Sequence, residues 1–324
     1  MAEAARPDAG EWTWFAEQFG QIQSNIERVI QGKEHEIRLA LVTLIAEGHL
    51  LIEDVPGVGK TMLAKAIARS FDCAFRRIQF TPDLLPTDIT GVNVYNQERG
   101  DFEFKPGAVF ANVVLGDEIN RASPKTQSAL LESMEERQVT VDGVSYELGV
   151  PFMVIATQNP IEHEGTYPLP EAQLDRFMIR LSIGYPGPEA EALILATHGR
   201  HSTLEDIGPV TDASGAARMI EVARQVFVAE ALQRYIVDIV EATRRHPDVY
   251  LGASPRAAIM LLRAGRAFAA SDGRDYVVPD DIKGLAIPVL AHRMIVSTDA
   301  AMSGRDAMSV LTEALDEVPV PVGR

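Results

Sequence analysis

With 46 acidic against 30 basic residues in 324, the chain carries a formal charge of −16, a field that does not favour a nucleic-acid backbone as ligand. Its single cysteine excludes an intrachain disulfide, and no apolar run approaches the roughly 20 residues of a membrane-spanning helix. At 46% hydrophobic and 23% charged residues, it can bury one large core or two moderate ones.

Met1 to Gly10 lacks the apolar core of a secretory signal and is expected to be a short disordered tail, in keeping with a cytoplasmic protein. Trp14, Phe15, Phe19, Ile22, Ile26 and Ile30 then share one helical face. After a break at Gly32, the spacing of Ile37, Leu39, Ala40, Leu41 and Leu44 predicts a second helix. From Leu50 to Ile183, short apolar strands alternate with helical patterns: Leu50–Ile52, Phe75–Phe80, Val113–Leu115, Phe152–Ala156 and Met178–Ile183. Such alternation predicts an α/β fold, a parallel sheet with helices on both faces.

Between the first strand and a helical run from Met62 to Phe71 lies Glu53-Asp-Val-Pro-Gly-Val-Gly-Lys-Thr61. A glycine loop in that position is a phosphate cradle, with backbone N–H groups turned to the anion. The expected nucleotide contacts are Pro56, Gly57, Val58, Gly59, Lys60 and Thr61, with Met62 opening the helix. Lys60 can reach the outer phosphates and the Thr61 hydroxyl can ligate magnesium. Asp54 stands where the strict form of this pattern asks for glycine.

The run Val113-Val-Leu-Gly-Asp-Glu118 ends in two carboxylates. Beside a phosphate loop, Asp117 is placed to hold magnesium and Glu118 to orient or deprotonate an attacking water. The two segments together predict ATP or GTP hydrolysis. Cys73 sits among Phe71, Ala74 and Phe75 and is expected to be a small core residue rather than a nucleophile.

Two inserts interrupt the alternation. Val92–Asn96 and Asp101–Phe104 flank Gln97-Glu-Arg-Gly100, and Gln138–Val141 and Val144–Leu148 flank Asp142-Gly143; each predicts a hairpin. Arg99-Gly100-Asp101 is then a tight turn. Between the hairpins, Ser123 can cap a helix that starts at Pro124 and runs to about Arg137. The breaker cluster Gly184-Tyr-Pro-Gly-Pro188 suggests a hinge, so the expected division is an α/β domain over 11–186 and a smaller helical one over 187–324. No zinc-protease helix is expected, since His163-Glu164 is followed by Tyr167 rather than the required histidine.

Four stretches carry a specific resemblance: Glu53–Thr61, Arg77–Gly91, Asp117–Ala122 with Gln127–Met134, and Leu169–Phe177. Over roughly residues 25 to 300 the chain resembles the MoxR family of AAA+ ATPases, in which Glu-Asp-Val-Pro-Gly is a common loop start. The resemblance implies a three-layer P-loop core with a parallel sheet and a smaller all-α lid, with the hairpins as its helix-2 insert and pre-sensor-1 insert. It implies ATP and Mg²⁺ as ligands, Asn159 as sensor 1, Arg176 as the arginine finger and Arg256 as sensor 2. Ile30 and Gly32 match positions at which relatives contact adenine. Ser254 and Pro255 would put Arg256 in the first turn of a lid helix, whose partial positive end adds to its charge. Arg121 could face an interface or form an internal ion pair.

The resemblance further implies a homo-oligomer, a hexameric ring, acting as a chaperone or remodeller that assembles, activates or inserts metal into a client. The client would carry a von Willebrand factor A-type domain. Three other readings stand beside it: a nucleic-acid motor, a magnesium-chelatase-like motor subunit, and a nucleotide-gated scaffold with negligible turnover. The net charge and the mixed charges of the first hairpin, Arg99 and Lys105 beside Glu98, Asp101 and Glu103, weigh against nucleic acid as a partner.

Overall fold

The computed structural model describes residues 9–160, 165–198 and 203–321. The expected tail over 1–8, and His163-Glu164, lie outside the described residues. Helix α1 (Ala9–Glu27) starts two residues inside that expected tail. Its buried stripe, Trp12, Phe15, Phe19, Ile22 and Ile26, recurs every three or four positions and gives the helix one core face. Helix α2 (Glu34–Ile45) follows.

The core then runs β1 (Leu50–Glu53), α3 (Lys60–Ser70), β2 (Phe75–Gln79), α4 (Pro86–Thr90), β3 (Gly91–Asn96), β4 (Asp101–Pro106) and β5 (Val113–Asp117). It continues with α5 (Pro124–Glu136), β6 (Gln138–Val141), β7 (Val144–Glu147), β8 (Met153–Gln158), α6 (Glu171–Leu174) and β9 (Ile179–Leu181). The sheet order is β2-β5-β8-β1-β9, with every pairing parallel. Strands β1, β5 and β8 are apolar on both faces because helices cover both, which explains their unbroken hydrophobic runs. The register sets Gln79 opposite Asp117 and Glu53 opposite Gln158, so the polar ends of four strands meet at one edge.

Both hairpins form where expected. β3 and β4 pair from Gly91–Pro106 to Asn96–Asp101. β6 and β7 turn through Asp142 and Gly143, both at positive φ, as a two-residue turn requires. The hairpins also touch each other: Phe104 and Tyr146 stack with centroids 4.0 Å apart, and Asn93 donates to Asp142 at 2.7 Å. Ser123 caps α5 by accepting from Thr126 N.

Beyond the core come α7 (Pro188–His198), α8 (Ala213–Arg224), α9 (Glu230–Arg245), β10 (Val249–Leu251), α10 (Pro255–Ser271) and α11 (Pro279–Leu290). β11 (Ile295–Val296), α12 (Thr298–Met302) and α13 (Ala307–Glu317) complete the chain. The helical lid thus also carries a short β10–β11 ladder. The first two helices dock on this domain as well as on the core. Arg218 pairs with Glu11 at 3.1 Å, and Arg38 pairs with Asp272 at 2.5 Å while lying over the Phe268 ring. No helix among the described residues is long and apolar enough to cross a membrane.

Candidate functional site

The glycine loop joins β1 to α3 as the spacing predicted. Gly57 and Gly59 sit at φ 88° and 96°, in the region where a side chain would be strained, and Gly59 is the N-cap of α3. Lys60 folds back across the loop, its Nζ donating to Asp54 O at 2.6 Å. Burial lowers the Lys60 pKa, while Asp54, Asp117 and Glu118 act in the opposite sense. The ammonium therefore faces a carboxylate-rich edge. Thr61 is half-buried in the first turn of α3.

The Asp54 side chain turns away from this loop. Its carboxylate accepts from Val55 N at 2.8 Å, Ser182 Oγ at 3.0 Å and Gly184 N at 2.6 Å. Burial pushes its pKa up, but those bonds outweigh burial and hold it below the ordinary carboxylate value. Asp54 thus ties the start of the loop to the segment after β9, through backbone and hydroxyl donors.

Asp117 and Glu118 stand at the end of β5. Asp117 accepts from Thr157 Oγ1 at 2.6 Å and from Arg77 Nη2 at 2.5 Å. Glu118 has left-handed backbone, φ 57°, and its N–H donates to the same Thr157 hydroxyl at 2.9 Å. Its carboxylate accepts from Gln79 Nε2 at 2.8 Å and from Arg121 Nη1 at 3.2 Å. Of the two readings of Arg121, the structure contains the internal ion pair. Asn159 is buried just past the end of β8, which is registered against β1 beside the loop. Thr61 and Asp117 offer oxygen donors alone, the set preferred by a hard divalent cation that keeps several waters.

A pocket of about 250 Å³ opens beside the loop, lined by Ile30, Gly57, Val58, Gly59 and Met62 and bounded by Ile183 and Pro186. Gly32 does not line it. This glycine turns at φ 69° close to Ala190, where a Cβ would come within 3.3 Å of the Ala190 Cβ.

Arg176 and Arg256 come together on a different surface. Arg176 Nη2 pairs with Glu135 Oε2 at 2.8 Å, and Arg256 forms a close ion pair with the other oxygen of the same carboxylate. Burial pushes the Glu135 pKa up, but the two guanidiniums outweigh it and hold it below the ordinary value. Ser254 caps α10 and also donates to Asp175 Oδ1 at 2.9 Å, so the first turn of that helix is anchored to the segment carrying Arg176. The cleft here is about 430 Å³ and shares no lining residue with the loop pocket. Within one chain, then, the structure gathers the loop and the acid pair at one edge and the two arginines elsewhere.

Sequence reasoning assigned no role to Arg77, Gln79, Thr157 or Glu135. It offered Asp175 or Glu171 only as an alternative ion-pair partner for Arg176, whose pair in the structure is Glu135, while Asp175 pairs with Arg293. Alternation along β2 puts Arg77 and Gln79 on one face of a strand, which was the signal available for those two. Cys73 packs against the core, and burial raises its thiol pKa to about 11, as expected for an inert cysteine.

The sequence pattern of the ATPase family associated with various cellular activities (AAA) matches residues 49–179, and that of the AAA lid domain matches residues 241–314. The chain is 49% identical to the uncharacterised protein YeaC of Bacillus subtilis, across 94% of this chain and 95% of that one. It is 43% identical to chaperone MoxR1 of Mycobacterium tuberculosis, over 91% of this chain and 80% of the relative. Protein MoxR of Paracoccus denitrificans is 31% identical, over 95% and 97% of the two chains. A crystal structure of a Cytophaga hutchinsonii protein superposes with a TM-score of 0.90 at 37% identity, covering 97% of this chain and 98% of that one. An MCM homologue from Methanopyrus kandleri shares the fold alone, at a TM-score of 0.57 and 20% identity over 90% of this chain and 64% of that one. With an AAA core, a lid in the order seen in the fold, and relatives matched over 80% to 97% of their own length, the chain belongs to the MoxR family of AAA+ ATPases.

Proposed function

We propose that the protein is a magnesium-dependent ATP hydrolase that works as a hexameric ring, each active site being shared by two neighbouring subunits. The observation that carries this reading is the shared Glu135 anchor. It holds Arg176 and Arg256 together in a cleft that has no lining residue in common with the loop pocket. A neighbouring copy is the route by which both guanidiniums would reach a transferring phosphoryl group.

In this mechanism the loop N–H groups and Lys60 bind the phosphates, Lys60 giving up its bond to Asp54 O. Thr61 and Asp117 would hold Mg²⁺, which when bound supplies charge neutralisation along the phosphates. Glu118 parts from Gln79 and Arg121 and accepts a proton from the attacking water, while Asn159 orients that water or the γ-phosphate. The water oxygen bonds to the γ-phosphorus as the bond to the bridging oxygen breaks. Arg176 and Arg256 leave Glu135 and offset the charge on the transferred group. Ile30 and Met62 are the apolar contacts for the base.

The work done with this hydrolysis is assembly, activation or metal loading of a client protein with a von Willebrand factor A-type domain, with the two packed hairpins as moving contacts. Capture by a Glu118→Gln ring held in ATP tests the client. The shared site is tested by mixing Arg176→Ala with Lys60→Ala subunits, each inactive alone. Partial recovery of phosphate release is expected, because a mixed interface can pair a sound finger with a sound loop. No recovery in rings shown to co-assemble would rule out the shared site.

A further inference from the structure

Beside the cleft that holds Arg176 and Arg256 lies a second cavity of about 330 Å³, lined by Glu47, Arg224, Arg263 and Arg266 and by Ile45, Ala46 and Ala223. The two cavities share Glu47, Arg224 and Arg263. Together they are lined by six arginines, at positions 137, 176, 224, 256, 263 and 266, and by two carboxylates, Glu47 and Glu135. In a chain where acids outnumber bases 46 to 30, this is a local reversal of sign.

Both carboxylates are already engaged. Glu135 holds Arg176 and Arg256, and Glu47 forms close ion pairs with Arg137 and Arg224. Arg263 and Arg266, one turn apart on α10, have no ion-pair or hydrogen-bond partner among the described residues, and Arg266 Nε is buried with none. Burial lowers the Arg266 pKa and the charge of Arg263 lowers it further. Arg263 is exposed and Arg266 half-buried beside it. The one carboxylate lining this cavity, Glu47, is already paired with Arg137 and Arg224, so the two like charges meet with no acid of their own.

We propose that this second cavity is a binding site for a small phosphate-class anion, inorganic phosphate or pyrophosphate, held by Arg263 and Arg266. These are the cavity's arginines that no carboxylate engages, Arg224 being paired with Glu47 and Glu221. Guanidinium forks match phosphate oxygens with paired hydrogen bonds. The site lies within one subunit and does not depend on the shared-site mechanism. The same phosphate chemistry has two sources, a free anion or the nucleotide of an adjacent subunit, and the test separates them.

Full-length Lys60→Ala protein, whose loop has lost its phosphate-binding charge, is titrated with pyrophosphate in magnesium-free buffer at a dilution where it is monomeric. Calorimetry is expected to report one saturable site, and thermal unfolding a pyrophosphate-dependent rise in Tm. Arg266→Gln in that background should weaken binding roughly tenfold or more, the scale of one hydrogen bond to a charged group. It should also leave the unliganded Tm unchanged or higher, because a charge without a counter-ion has been removed; a purely structural arginine would lower it. Arg263→Gln provides the same comparison if Arg266→Gln does not fold. No saturable binding to the Lys60→Ala protein, or binding that both variants leave intact, overturns the site. Protection confined to ATP-loaded wild-type rings would assign these arginines to the neighbour's nucleotide and overturn it as well.

Discussion

Arg293 donates from Nη1 to Asp175 Oδ1 at 2.6 Å, bolting the lid to the segment that carries Arg176. The guanidinium is 1% exposed, and its other donors reach Asp175 O, Val289 O, Phe177 O and Met260 Sδ. Burial brings its pKa down to about 10, against the pull of Asp175. Asp175 also takes Ser254, the cap of the helix bearing Arg256, so one carboxylate ties the segment carrying Arg176 to the lid helix carrying Arg256.

The two ends of this pair are not equivalent. Asp175→Ala strands a buried cation and is expected to cost about 3–5 kcal/mol of unfolding free energy, the usual penalty for breaking a buried pair. Arg293→Met leaves Asp175 partly solvated and still bonded to Ser254, so its cost should be smaller. Urea denaturation of the two variants checks the order. Equal or reversed losses would refute it.

Lys60→Ala should weaken ATP binding, because the phosphates lose their main point charge. Glu118→Gln should bind ATP normally and slow turnover by roughly 10²–10⁴-fold, the share of a positioned acid–base group. Equilibrium binding and steady-state phosphate release separate the two. Wild-type turnover in Glu118→Gln would show that another group activates the water.

Asp54→Gly should leave nucleotide affinity within a few-fold, since the carboxylate faces Ser182 and Gly184 rather than the loop interior. The same change should lower stability by about 1.5–3 kcal/mol, the scale of a hydrogen bond to a charged group. Fluorescent-nucleotide titration and thermal unfolding read the two effects independently. A large gain in affinity would mean that the carboxylate swings toward the phosphates when nucleotide arrives.

His49 is buried between β8 and α5, with Val154 N donating to Nδ1 at 3.0 Å and Met134 O 3.0 Å from Nε2. Burial drives its pKa from 6.5 down to about 4, so the native ring is neutral while the unfolded one protonates. The unfolded state therefore binds more protons between those values, and stability falls as pH drops through that window. The loss should be on the order of 3 kcal/mol in all. His49→Gln, which can keep both bonds without titrating, should flatten the decline between pH 7 and pH 5. An unchanged slope would shift the acid sensitivity to His292, whose pKa burial also lowers.

The parts of this protein legible in its sequence are those written in local spacing. The α1 stripe, the apolar strands, the glycine loop and the Asp142-Gly143 turn each follow from backbone sterics and helical or strand periodicity over a few residues. The same locality made Glu53–Thr61 and Asp117-Glu118 readable as a phosphate edge, since a parallel sheet brings strand ends together once its strands are recognised. Glu135 shows the limit. It is an ordinary acid in the last turns of α5, and only packing brings it to Arg176 and to Arg256, 121 positions away. The docking of α1 and α2 on the lid, the outward turn of Asp54 and the buried Arg293 share that origin. Each depends on which distant surfaces meet, and an ion pair leaves no periodic trace in the chain that forms it. Local pattern determined the elements and the phosphate loop; tertiary packing alone decided which charges face one another, because desolvation and Coulomb energy act through space, not along the chain.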